Sequence, residues 1–233
     1  MRLYHLSIPF AACLLAACSA DVAEAPARDA SSGEQAARAD IAVEGPERRI
    51  LAFGNSLFAG YGVGEENSYP ALLEDALRES GINARVTNAG VSGDTSGAGA
   101  QRLAFTLDSM AQTPDLVILE LGGNDMLRGI QPAQTRENFE AMLTELQRRN
   151  IPVLLMGMRA PPNYGPDYQT EFDGLYGELA REYDADLIPF WLESIYQDPS
   201  LFQDDRIHPT VEGIETLVED TADEVAQALA PAS

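Results

Sequence analysis

The stretch Leu116-Val117-Ile118-Leu119-Glu120-Leu121-Gly122-Gly123-Asn124-Asp125 decides how this chain of 233 residues folds. Leu116 to Leu121 is an apolar run rich in branched residues, and it stops at Gly122-Gly123. Such a run suits a strand covered on both faces, as strands of a parallel sheet are. The same pattern recurs outward in both directions. Ile50 to Phe53, Ala84 to Thr87, Val153 to Met158 and Leu187 to Phe190 read as four more strands. Helical patterns lie between and after them. Tyr69, Leu72, Leu73, Ala76 and Leu77 share one face, closed by Gly81. Residues 95–111 and 133–149 form two further helices, the second with Phe139, Met142, Leu143 and Leu146 at helical spacing. Phe172, Leu175, Tyr176 and Leu179 mark another, and the last runs through Val211, Ile214, Val218, Ala222, Val225 and Leu229. Strands alternating with helices give an α/β fold: a three-layer α/β/α sandwich with a five-stranded parallel sheet. Right-handed crossovers leave few topologies, of which the strand order 2-1-3-4-5 is expected, with the ligand site outside the carboxyl ends of the strands.

Composition excludes several chemistries. All fifteen basic residues are Arg, so no lysine is available for a Schiff base, a phosphate loop or a general base. His5 stands near the start, which leaves His208 as the one imidazole of the body, too few for a two-His metal site. Cys13 and Cys18 both fall in the first twenty residues, so the body has neither a disulfide nor a cysteine nucleophile. No metal and no cofactor is expected. The net charge of −22 repels nucleic acid and anionic lipid, and reads as a solubility surface.

The chain divides into three segments. Arg2 and His5 precede an apolar stretch, Leu6 to Ala17, that Pro9 interrupts and that is too short to span a bilayer. It ends in Leu15-Ala16-Ala17-Cys18, which is similar to a bacterial lipoprotein signal with Cys18 as the lipidated residue. Residues 1–17 are therefore expected to be a signal peptide; an ordinary signal cut after Ala20 is the other reading. Residues 18–47 are acidic and lack aromatic residues, and are expected to be a disordered tether. Residues 48–233 form the domain. The protein is expected to be exported, in the periplasm or secreted, meeting the membrane only through that anchor, as a monomer or small homo-oligomer.

Four polar motifs fall at predicted strand ends. Ser56, in Gly54-Asn55-Ser56-Leu57, sits on a strand-to-helix turn where a nucleophile is exposed and helix N–H groups face a developing oxyanion; a helix cap is its commoner role. Gly93, in Ser92-Gly93-Asp94-Thr95-Ser96, lets backbone approach a ligand, or simply turns. Asn124 offers a side-chain N–H donor, or belongs to a plain polar turn. Asp205 precedes His208 by three residues, close enough to fold back onto Nδ1 and leave Nε2 as a base. Each piece alone is common. Together they supply a nucleophile, a base, an orienting acid and oxyanion donors.

With these residues in place, the sequence resembles the SGNH, or GDSL, hydrolase family, and within it the thioesterase I, lysophospholipase L1 and arylesterase group. The likeness also includes Ala59-Gly60-Tyr61-Gly62, Glu120-Leu121-Gly122-Gly123-Asn124-Asp125, Leu127-Arg128-Gly129, Asn163-Tyr164-Gly165 and Asp204-Asp205-Arg206-Ile207-His208-Pro209, covering nearly all of residues 48–230. The resemblance implies the SGNH version of the flavodoxin-like strand order. It implies Ser56, Asp205 and His208 as a catalytic triad, with an oxyanion hole from the Ser56 N–H, Gly93 and Asn124. The family usually has Asp before the nucleophile, where this chain has Asn55. Asn55 is expected to support the turn as that Asp does.

The resemblance implies a serine esterase that forms an acyl-enzyme on Ser56 and acts on aryl esters, short to medium acyl esters, lysophospholipids or thioesters. Phe58, Met126, Leu127, Met158, Pro161 and Tyr164 are the candidates for an acyl groove, with loop packing as their other role. Export and the negative charge weigh against acyl-CoA. Two other functions stay open at this point: an O-acetyl esterase acting on polysaccharide, and a non-catalytic lipid-binding envelope lipoprotein.

Overall fold

A computed structural model describes residues 41–229. The expected signal peptide, Cys18 and most of the tether lie outside the described residues. Five strands, β1 (Arg48–Gly54), β2 (Ala84–Gly90), β3 (Leu116–Glu120), β4 (Val153–Met156) and β5 (Asp186–Ile188), form one parallel sheet in the order β2-β1-β3-β4-β5. Among the described residues seven α-helices accompany them: α1 (Ser56–Ala59), α2 (Tyr69–Glu79), α3 (Ser96–Ser109), α4 (Gly123–Leu127), α5 (Pro132–Arg148), α6 (Pro166–Tyr183) and α7 (Val211–Ala228). α2 packs against α7, while α3, α5 and α6 pack side by side in a second group. The sheet lies between these two layers.

Burial follows the sequence pattern. Every residue of β3 is buried, as are Ile50 to Phe53 of β1 and Leu154 to Met156 of β4. α5 buries Phe139, Met142, Leu143 and Leu146, and α6 buries Phe172, Leu175, Tyr176 and Leu179. Two strands end earlier than their apolar runs. β5 stops at Ile188 because Pro189 brings no N–H to the ladder. β4 stops at Met156, and Gly157 instead donates to the Ile188 carbonyl. Residues 41–47, grouped with the tether by composition, bond to the domain. Arg78 Nε donates to the Ile41 carbonyl at 2.8 Å and Asn83 Nδ2 to the Gly45 carbonyl at 3.0 Å.

Register sets the site. Gly54 pairs with Gly90 on one side and with Glu120 on the other, so three strand ends lie at one level. The turn of α1 closes directly over β2. A Cβ on Gly90 would stand 2.5 Å from the Ala59 nitrogen and 2.8 Å from the Asn55 carbonyl oxygen, both backbone atoms that cannot step aside cheaply. Gly90→Ala is therefore expected to destabilise the fold by about 1–3 kcal/mol, as overpacking does. Urea unfolding of the two proteins measures the difference, and an unchanged midpoint contradicts the close approach.

Candidate active site

β1 runs out at Gly54, and Asn55 caps the four-residue α1 by accepting the Leu57 N–H on Oδ1 at 2.9 Å. This turn presents Ser56, half-buried, at the sheet edge. No hydrogen-bond partner for its backbone N–H occurs among the described residues. The loop before α7 brings the base. Gln203 holds that loop: its N–H donates to the His208 carbonyl at 2.7 Å, and its Nε2 donates to the Tyr61 and Pro209 carbonyls, each at 2.9 Å. Arg206 turns the chain in the left-handed region, with φ 60°. Asp205 then folds back, its Oδ1 accepting the N–H groups of Ile207 at 2.9 Å and His208 at 3.0 Å.

The side chains form one line. His208 Nε2 lies 2.9 Å from Ser56 Oγ, and His208 Nδ1 lies 2.6 Å from Asp205 Oδ2. Burial alone would raise the Asp205 pKa. The bonds from the His208 N–H, the imidazole and the Ile207 N–H, with the imidazole charge, outweigh it and hold the carboxyl at about 2. Asp205 is thus ionised near neutrality and only accepts. That fixes the proton on Nδ1 and leaves Nε2 to take the hydroxyl proton of Ser56. The Asp205 side chain is 38 % exposed against 14 % for His208, so water screens its charge in part. The Tyr61 ring covers the imidazole, with centroids 4.2 Å apart.

Two loops supply further donors. Gly93 has φ +86°, a conformation L side chains avoid, and its N–H has no partner among the described residues. Arg128 donates to the Gly93 carbonyl at 2.7 Å, and the Asp94–Arg102 ion pair at 2.6 Å ties the loop to the domain. Asn124 spends one N–H on the Asp94 carbonyl at 2.9 Å, which orients the amide and leaves its second N–H for the groove it lines. Asp125, fully buried, accepts from the Ser96 N–H at 2.7 Å, from the Ser96 hydroxyl, and from Thr135 at 3.2 Å. It clamps α4 to the start of α3 and to α5.

A groove of about 270 Å³ opens from Ser56 and Asn124. Met126, Leu127, Met158 and Pro161 line it, as their place on the strand-end loops suggested. Phe58 does not. It is fully buried, stacked on Tyr69 at 5.3 Å and edge-on to Trp191 at 5.8 Å, because the first turn of α1 aims it into the core. Tyr164 is also outside the groove wall. Its ring lies tilted against Tyr168 at 5.2 Å, in a row that continues to Phe172. Much of the remaining wall comes from residues 190–207, chiefly Phe190, Leu192, Tyr196, Phe202 and Ile207, with Asn55, Leu57, Arg159 and Arg206 at the same groove. Sequence reasoning missed this segment. Its signal was the density of large apolar residues between β5 and α7, where no strand or helix required them.

The other missed residue is Glu120. It ends β3 with 0 % exposure, and its carboxyl receives the Asn55 N–H at 3.2 Å and Asn55 Nδ2 at 2.9 Å. An acid closing a wholly buried strand was the available signal. Burial pushes its pKa up to about 8, against the pull of the Asn55 bonds.

Comparison with known proteins places the chain among esterases. Residues 52–215 match the GDSL-like lipase/acylhydrolase family. An arylesterase of Vibrio mimicus is 40 % identical over 78 % of this chain and 90 % of its own length. The thioesterase 1/protease 1/lysophospholipase L1 of Escherichia coli K12 is 42 % identical over 69 % of this chain and 74 % of its own. The crystal structure of AlinE4, an SGNH-hydrolase family esterase, superposes with a TM-score of 0.68 at 60 % identity, covering 80 % of this chain and 99 % of that one.

The raised Glu120 pKa has a consequence for stability. The folded protein keeps a proton that the unfolded chain releases, so this group's contribution is full below about pH 4.5 and is lost as the pH rises towards about 8. The melting temperature of the wild type should therefore fall relative to that of Glu120→Gln across this window. Scanning calorimetry at several pH values reads the difference, and parallel curves contradict the shift.

Proposed function

The chain belongs to the GDSL-like lipase/acylhydrolase family, and from that membership we propose a serine esterase that works through an acyl-enzyme on Ser56. The observation that carries the mechanism is the line Ser56 Oγ, His208 and Asp205, at 2.9 and 2.6 Å. His208 Nε2 takes the proton as Ser56 Oγ attacks the ester carbonyl. The oxyanion meets the N–H groups of Ser56, Gly93 and Asn124. The imidazolium, steadied by ionised Asp205, gives its proton to the leaving alcohol, and the free Nε2 then activates water for deacylation.

Replacing Ser56 with Ala is expected to abolish turnover. Asn124→Ala is expected to lower kcat by roughly 10²–10³, the cost of losing one oxyanion donor. Steady-state kinetics on a p-nitrophenyl ester measures both, and full activity in Ser56→Ala refutes the mechanism.

The groove supports the choice of substrate. At about 270 Å³ it stands near the roughly 300 Å³ lower bound of ligand pockets, and its walls are mostly apolar. Short to medium acyl esters fit it, on aryl or other neutral leaving groups. The net charge of −22 disfavours a polyanionic CoA leaving group. We place the enzyme outside the cytoplasm, held to the envelope through Cys18; Cys18→Ser would release it to the soluble fraction. Hydrolysis of a p-nitrophenyl series from two to sixteen carbons tests the acyl preference. A maximum at intermediate length is the expected profile. A sharp preference for acetate contradicts it and points to an O-acetyl esterase.

A further inference from the structure

We propose that Glu120 is a positioning residue for the nucleophile, acting on Ser56 through Asn55; this rests on the serine-esterase reading above. Glu120 touches no substrate. Its two carboxyl oxygens meet one neighbour, Asn55: Oε2 accepts the backbone N–H at 3.2 Å, and Oε1 accepts the side-chain amide at 2.9 Å. Asn55 in turn holds the turn that carries Ser56. Its Oδ1 accepts the Leu57 N–H at 2.9 Å and lies 3.4 Å from Ser56 Oγ, and its carbonyl accepts the Ala59 N–H at 3.0 Å.

The amide orientation follows from donor and acceptor types. The Leu57 N–H can only donate, so Oδ1 must face it. Nδ2 then faces Glu120, where only an acceptor satisfies it. Both Asn55 donors are directed at position 120, and a carboxyl group offers one oxygen to each of them there. Burying a carboxyl is costly, and an apolar residue would fill the end of β3 more cheaply. It would leave two buried donors unpaired directly behind the nucleophile.

The departure from the family motif now has a physical meaning. An aspartate at position 55 would face Glu120 with a second acceptor, and the two buried carboxyls would need a proton held between them. Asn55 carries that hydrogen in its own amide. In this chain no proton has to be shared between two carboxyl groups at positions 55 and 120.

The test exchanges donor and acceptor. In Glu120→Gln one acceptor becomes a donor. Either orientation of the new amide then sets an N–H against one of the Asn55 donors, and flipping Asn55 only moves the mismatch to the Leu57 N–H. The double variant Asn55→Asp with Glu120→Gln reverses the pair, restores every hydrogen bond and keeps the number of carboxyl groups. Active sites are counted with a fluorophosphonate, and kcat and KM per titrated site are measured on a p-nitrophenyl ester. Glu120→Gln should lower kcat by at least about tenfold with KM within about twofold, since the groove wall is untouched. The double variant should return to within about threefold of wild-type kcat. Wild-type kcat per site in Glu120→Gln overturns the proposal, as does a folded double variant no faster than the single. If Glu120→Gln is not obtained folded, the double variant decides by the same threshold. Failure of the esterase reading looks different: the wild type itself neither reacts with the fluorophosphonate nor turns over.

Discussion

Parallel pairing holds Gly54, Gly90 and Glu120 side by side at the carboxyl ends of β1, β2 and β3. Parallel strands cannot be joined by hairpins, so each returns through a helix and each new loop starts from the same edge. Ser56 leaves from β1, Gly93 from β2 and Asn124 from β3. The loop after β5 brings Asp205 and His208 across to meet them. Elements distant in sequence, such as Ser56 and His208, are thereby brought within hydrogen-bond reach.

Around that edge two carboxyl groups are held in opposite ways. Asp205 stands near solvent, and two backbone N–H groups and an imidazole keep it ionised. Glu120 is sealed from solvent with Asn55 as its partner, and burial raises its pKa. The first orients the base through charge. The second lies under the nucleophile turn and acts through the placement of its acceptors. The balance between burial and hydrogen bonding, more than residue type, separates their behaviour.

Much of the fold was legible in the chain. The runs Ile50–Phe53 and Leu116–Leu121 read as strands because buried parallel strands are apolar on both faces, and the helical spacings in α5 and α6 became their buried faces. Four strand-end motifs pointed to one edge because the strand order leaves no other place for them. Side chains near that edge were harder to read. Phe58 follows Ser56 by two residues, yet a helical turn sends it to the opposite side, onto Tyr69 and Trp191. Tyr164 ends a short 3-10 turn after β4 and joins an aromatic row instead. The segment from Phe190 to Ile207 forms much of the groove without a periodic pattern to announce it.

The sequence by itself determined the strand and helix order, the absence of lysine, the single body imidazole, and the set of residues able to perform ester hydrolysis. These depend on local pattern and on inventory. Tertiary structure decided which of the candidates share a site, how large a groove they face, and what Asn55 does. Asn55 reads alone as a turn residue with a missing charge. Only the register of β1 against β3 sets it against a buried carboxyl, because hydrogen-bond partners sixty-five positions apart are chosen by packing and not by neighbourhood along the chain.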